Sequence, residues 1–201
     1  MSCLIYPDHL LAINSIYWPH DRLYGKQIDV VDSVLTCRET YVTAGNELGK
    51  DYVAGFIALT CFMAALELNL TCKIVTTSVE EDHLKILWGE IGKRLRTAKY
   101  PILAQHGGKF IINFQEMRRF EERDAKNPSS LLIGLVCKEE AKMAGHHAEY
   151  TLGIGDEASA IRDEVRDEWL GWCDHMLWIS NPRKCNNFYK KMVKKGSLLA
   201  A

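Results

Sequence analysis

The sequence has no C-x-x-C pair, and its seven cysteines are an odd number. Both facts argue against a disulfide framework and for a reducing compartment. Net charge is nearly absent, at a formal −1. No global basic field attracts nucleic acid, so any such contact must be local. Long apolar runs are also missing. The longest uncharged one, residues 53–66, falls short of a membrane span and reads as a buried helix. The opening stretch MSCLIYPDHL lacks the basic region of a signal peptide, so the expectation is a non-secreted chain with no membrane partner. Neither repeats nor low-complexity segments interrupt it. What remains is 201 residues, 47% hydrophobic and 25% charged, enough for one globular domain with a sizeable core.

Hydrophobic spacing divides the chain into alternating elements. Ile28, Val31, Val34 and Leu35 recur at helical spacing within 24–36. Residues 39–45 read as a strand ending in a glycine turn, and 50–69 as a helix apolar on nearly all sides. Residues 72–78 are rich in β-branched side chains and predict a strand. Residues 80–97 predict an amphipathic helix with acids in its first turn and bases in its last, which suits the helix dipole. Strands are expected at 109–114 and 130–137, with a polar loop between them. A strand from 149 runs into an acidic pair, followed by a helix over 160–173 and a strand at 175–182 stopped by Pro182. The basic tail from Tyr189 is expected to fray. Strands alternating with helices predict an α/β domain with a mainly parallel central sheet, whose ligands bind at the carboxyl ends of the strands.

Three unusual stretches fall at such ends. TAGNELGKDY, residues 43–52, approaches the phosphate-binding pattern G-x-x-x-x-G-K-[ST], with Ala44 in place of the first glycine and Asp51 in place of the hydroxyl. A turn that places Gly49-Lys50 at a helix start gathers backbone N–H groups, the positive dipole end and a mobile cation at one point. A glycine turn that merely precedes a lysine explains the same letters. LGIGDEAS ends an apolar strand in Asp156-Glu157, the pair that a P-loop ATPase uses to hold Mg²⁺ and to polarise the attacking water. An acidic first helical turn is the plain alternative. LWISNP ends a strand in Ser180-Asn181, which reads either as a polar sensor of the γ-phosphate or as a strand-terminating turn.

Taken in order, YGKQIDVVDSV, VTAGNELGKDYVA, KIVTTSVEEDHLKILWGEI, GHHAEYTLGIGDEASAI and MLWISNP resemble the ATPase domain of phage large terminase subunits, the motors that package DNA into procapsids. The likeness runs from about residue 24 to residue 182. It implies a P-loop NTPase-like three-layer sandwich, with a central, mainly parallel sheet flanked by helices, as one ATPase domain. It implies ATP as substrate and Mg²⁺ as cofactor. Double-stranded DNA, the portal and the small terminase subunit would be partners, in a homo-oligomeric ring, in the host cytoplasm of a virus-encoded system. Gln27 resembles the adenine-contacting glutamine. Gly45, Asn46, Glu47, Leu48, Gly49, Lys50 and Asp51 resemble Walker A, with Lys50 on the phosphates. Asp156 and Glu157 resemble Walker B and the catalytic carboxylate. Asp51 and Asp156 would share the metal, while Ser180 and Asn181 resemble the coupling motif. TTSVEEDHLKILW resembles the segment that shapes the domain and the DNA path.

The loop departs from the family in carrying no arginine. A transition-state cation would come from Arg94, Arg96, Arg162 or a neighbouring subunit. No acidic cluster resembles the nuclease that follows the ATPase domain in this family, so the expectation is an ATPase-only fragment or split polypeptide without nuclease activity. Two readings stay open beside the packaging motor: a helicase-type DNA-dependent ATPase, and a nucleotide-binding scaffold without turnover. His146, His147 and Glu149 form a weak metal candidate against a surface-loop reading. Trp169, Trp172 and Trp178 are candidates for base stacking or for core packing. The stretch 92–99 is a candidate phosphate contact or a solvated helix end.

Overall fold

The computed structural model describes residues 5–45, 49–137 and 145–195. Helix α3 (Lys50–Glu67) has no polar face, and every residue from Val53 to Leu66 is buried. A helix without a wet side must be enclosed by other elements. Helices α1 (Pro7–Tyr17), α2 (Gly25–Thr36) and α4 (Glu81–Thr97) share its core on one face of a sheet. No helix among the described residues is long and apolar enough to cross a membrane.

The sheet has seven strands: β1 (Glu39–Thr43), β2 (Cys72–Ser78), β3 (Phe110–Asn113), β4 (Glu116–Arg119), β5 (Leu131–Val136), β6 (Tyr150–Asp156) and β7 (His175–Ser180). Their order is β1-β7-β6-β2-β5-β4-β3. The first five in that order run parallel, and β4 and β3 close one edge antiparallel. Ile74, Leu152, Ile154, Leu177 and Ile179 face α1 to α4. Val75, Met176 and Trp178 face the opposite side, where α5 (Asp163–Leu170), α6 (Phe188–Lys195) and the short turn at Ala158–Ala160 pack. The result is a three-layer α/β sandwich with a mainly parallel sheet.

Three local expectations need correction. The loop expected between 114 and 130 contains a strand: β4 pairs with β3 in a hairpin and with β5, and Met117 is buried in the core, so cross-strand bonds and this anchor outweigh its charged neighbours. The helix expected over 160–173 is shorter, because Ala158–Ala160 forms a separate turn and α5 starts at Asp163. The tail does not fray through Lys195: α6 docks by burying Phe188 and Tyr189, and the Tyr189 hydroxyl donates to the Val42 carbonyl at 2.8 Å. The tail beyond residue 195 lies outside the described residues.

Strand β6 is buried along its whole length, and its two glycines have a packing reason. Trp169 of α5 and Trp178 of β7 stack at 4.9 Å between centroids, with 25° between planes. A Cβ on Gly153 would stand 2.3 Å from the Trp169 ring, and one on Gly155 would stand 2.4 Å from the Trp178 ring. Glycine within a strand marks this kind of close approach. Gly155→Ala is therefore expected to destabilise the fold by about 1–3 kcal/mol through overpacking. Denaturant unfolding followed by tryptophan fluorescence measures it, and an unchanged midpoint would refute the packing account.

Candidate functional site

The carboxyl edge of the parallel strands is aligned by register. Thr43 of β1 pairs with Ser180 of β7, Ile179 of β7 with Asp156 of β6, and Gly155 of β6 with Thr77 of β2. The segments that follow these strands therefore emerge side by side. Helix α3 starts at this edge, after Gly49 in the left-handed conformation (φ 76°). A Cβ there would lie 3.3 Å from Gln27 Nε2, so glycine serves both the backbone angle and the approach of Gln27. Gln27 is itself buried, and its Oε1 accepts from the Tyr24 N–H at 3.3 Å. Gly45 follows Ala44, whose N–H donates to the Ser180 carbonyl at 3.1 Å. Asn46, Glu47 and Leu48 lie outside the described residues.

At the centre of the edge, Lys50 Nζ donates to Asp156 Oδ1 at 2.8 Å and to Glu157 Oε1 at 2.9 Å. Asp51 Oδ1 stands 3.7 Å from the same nitrogen. Only 11% of the Lys50 side chain is exposed, against 3% for Asp156, 4% for Glu157 and 26% for Asp51. Burial alone would pull the Lys50 ammonium down, but the hydrogen bonds and charges of the carboxylates outweigh it and raise its pKa above the ordinary lysine range. Burial pushes the Asp156 carboxyl up, Lys50 opposes, and the charges of Asp51 and Glu157 add to the rise.

Glu157 is left-handed as well (φ 53°, ψ 42°). For a residue that is not glycine this costs about 1–3 kcal/mol and persists only where the surroundings enforce it. Here the turn bends the chain sharply after β6, and the side chain meets Lys50. One oxygen of each carboxylate is left over: Asp156 Oδ2 and Glu157 Oε2 are buried with no hydrogen-bond partner among the described residues. Such a pair of hard, anionic oxygens fits a divalent cation.

Ser180 ties three segments together. Its Oγ donates to Ser159 Oγ at 2.8 Å and accepts from the Ser159 N–H at 3.2 Å, and its carbonyl holds Ala44. Asn181 is buried beside it. Ser180 thus bonds both the turn after Glu157 and Ala44, the residue that follows β1.

No family model matches the chain, and no curated protein matches it. Solved structures do. The HK97 bacteriophage large terminase superposes with a TM-score of 0.65 at 14% identity, covering 96% of this chain and 42% of that one. The large terminase ATPase domain of Thermus phage P74-26 superposes with a TM-score of 0.59 at 16% identity, covering 85% and 68%. A mutant of that domain gives 0.60 at 17%, covering 85% and 69%. The fold is that of a phage large terminase ATPase domain.

Within this terminase fold, several candidates are used structurally. Trp169 and Trp178 are fully buried and Trp172 is nearly so, so the three are core residues and not base-stacking surfaces. Arg94 is enclosed: its guanidinium lies over the rings of Trp18, Tyr52 and Phe56 at 5.2, 4.6 and 4.8 Å and pairs with Asp21 at 3.1 Å. It holds the segment just after α1 against α3 and α4. Glu149 accepts from Thr71 N–H and Oγ1 at 2.8 and 3.1 Å, and the His146 ring packs on Trp172. A cavity of about 780 Å³ lies elsewhere, lined by Lys73, Lys126, His146 and His147 among others, and contains none of the Lys50 cluster. The convergent charges stand instead at the strand ends.

Sequence reasoning missed His83. This residue stands in the first turn of α4, and each of His83, Asp156 and Glu157 offers a ligand atom within 4.8 Å of the others. The available signal was its position: a histidine shortly after a strand that ends at the same edge.

Proposed function

We propose that this chain is a Mg²⁺-dependent ATPase that powers translocation of viral double-stranded DNA into a procapsid. Residues 24–182 would carry the site, the portal and small terminase subunit would be partners, and a homo-oligomeric ring would be the assembled form. The observation that carries this reading is the meeting of Lys50 with Asp156 and Glu157 at the strand edge of a terminase-like fold.

In this reading Lys50 and the backbone N–H groups at the start of α3 receive the β- and γ-phosphates, where the helix dipole favours negative charge. Phosphate oxygens compete with the two carboxylates for the ammonium, so binding ATP releases Asp156 and Glu157. Asp156, with Asp51, would hold the metal. Bound there, magnesium would neutralise charge that develops on the transferred phosphoryl group. Glu157, no longer paired, accepts a hydrogen bond from the attacking water and orients it in line with the γ-phosphorus. Gln27, which lies against Gly49, would contact the base. Ser180 and Asn181 carry the change at the Glu157 turn to the 44–50 loop.

The test is hydrolysis and binding of ATP by the purified chain, with Mg²⁺ and with EDTA. Mg²⁺-dependent turnover supports the proposal, and stimulation by assembly on a portal separates packaging from a helicase-type role. Binding without turnover would favour the nucleotide-binding scaffold, and no binding at all would remove the site. Asp51 offers a sharper measurement. A carboxylate about 4 Å from a phosphate charge costs on the order of 1–4 kcal/mol, depending on the effective dielectric. Asp51→Ala is therefore expected to bind metal-free ATP more tightly and to lose Mg²⁺-dependent turnover. Unchanged affinity in EDTA would mean that Asp51 serves only the helix dipole.

A further inference from the structure

We propose that His83 joins Asp156 and Glu157 in a binding site for a divalent transition cation, of which Mn²⁺ is the probe, in the nucleotide-free protein. The inference shares its two carboxylates with the nucleotide reading above and deepens it by naming a third ligand of different chemistry.

The ligand atoms of His83, Asp156 and Glu157 all lie within 4.8 Å of one another, and no other group of three that close occurs among the described residues. The arrangement follows from the topology. β2 and β6 are parallel neighbours, with Thr77 opposite Gly155. The chain leaving β2 enters α4 at Glu81, so the first turn of that helix stands beside the acidic pair that ends β6. The second observation is independent of the grouping. Asp156 Oδ2 and Glu157 Oε2 are buried without a hydrogen-bond partner among the described residues, in side chains only 3% and 4% exposed. Anionic oxygens in that position are costly until a cation or donor meets them. Lys50 satisfies only Oδ1 and Oε1. With Asp51 beside it, one ammonium faces three carboxylates, and when all are ionised the remainder is the charge that one divalent ion cancels.

The imidazole decides the class of ion. Mg²⁺ takes oxygen ligands and usually keeps several waters. A neutral imidazole nitrogen adds little for Mg²⁺ but favours first-row transition ions, while the two carboxylates suit Mn²⁺. His83 thereby biases the edge toward a mixed nitrogen–oxygen site. The ion would engage the oxygens that Lys50 leaves unused, so the ammonium need not depart.

The experiment titrates Mn²⁺ into the full chain without nucleotide. Mn²⁺ is chosen because accessible thiols such as Cys37 would compete for softer ions. Room-temperature electron paramagnetic resonance counts free Mn²⁺, and pulsed measurements on the bound ion detect ¹⁴N coupling from a directly bound imidazole. One Mn²⁺ per chain with ¹⁴N coupling is expected. His83→Ala should remove the coupling and weaken Mn²⁺ by roughly tenfold or more, since even groups behind a ligand are worth 10- to 100-fold. It should leave Mg²⁺ affinity nearly unchanged, and His147→Ala should keep the coupling. Circular dichroism confirms that His83→Ala is folded. No Mn²⁺ binding, no ¹⁴N coupling in the parent, or coupling that survives in His83→Ala would overturn the site. ATP binding in the presence of Mg²⁺ is measured on the same protein preparations, since Asp51 is expected to oppose metal-free ATP. Parent protein that binds ATP without imidazole coupling sinks the His83 site alone, whereas coupling without ATP binding sinks the nucleotide reading alone.

Discussion

Lys50→Ala is expected to abolish ATP turnover and to lower stability by about 3 kcal/mol at neutral pH, the lower end for breaking a buried ion pair from one side. The substitution removes the ammonium that bonds Asp156 and Glu157 and leaves three carboxylates facing each other. The pH dependence has a definite sign. Burial already holds the folded-state pKa of Asp156 above its ordinary value, with Lys50 opposing. Without Lys50 that pKa rises further. A carboxyl whose folded-state pKa is raised contributes stability that is fully present below its unfolded pKa and is lost as pH rises through the folded one. The deficit of the variant against the parent is therefore largest at pH 7–8 and shrinks on acidification toward about pH 4, the ordinary aspartate range. Thermal unfolding of both proteins across that window measures it. A deficit that stays constant with pH would mean that lost packing, and not the unpaired carboxylates, is responsible. Wild-type-like hydrolysis would remove Lys50 from the site.

Glu157→Gln is expected to keep ATP binding and to lose about a hundredfold or more in kcat, the scale of a positioned general base. Binding survives because Lys50 and the start of α3 are untouched, and one competitor for the ammonium has lost its charge. Glutamine meets the same left-handed backbone requirement at φ 53° with nearly the same shape, so the fold should hold. Calorimetric ATP titration and a single-turnover assay separate the two effects. Turnover close to that of the parent would end the assignment, and lost binding with an unchanged melting temperature would make Glu157 a nucleotide contact instead.

Much of the frame was readable from local pattern. The absence of a polar face on 50–69 required a buried helix, a run rich in β-branched residues marked β2, and an apolar run marked β5, because periodicity reports how a segment meets its immediate surroundings. The glycines of β6 were visible too, but not their purpose. Gly153 and Gly155 make room for two tryptophans that come from α5 and β7, and a strand pattern carries no record of what lies above it. For the same reason β4 was hidden: three of its four residues are charged, and only pairing with β3 and β5, which buries Met117 in the core, makes them a strand.

The sequence by itself determined the alternation of strands and helices, the buried central helix, and the three chemically unusual strand ends in their order. Those depend on composition and spacing within a few turns of chain. Only the tertiary structure decided that Lys50 bonds Asp156 and Glu157, that Arg94 is enclosed in aromatic rings, and that His83 stands at the acidic pair. Lys50 and Asp156 are separated by 106 positions, and their meeting follows from a strand order in which β6 and β7 insert between β1 and β2. That order is set by which apolar faces pack together over the whole sheet, a global compromise that no local window contains.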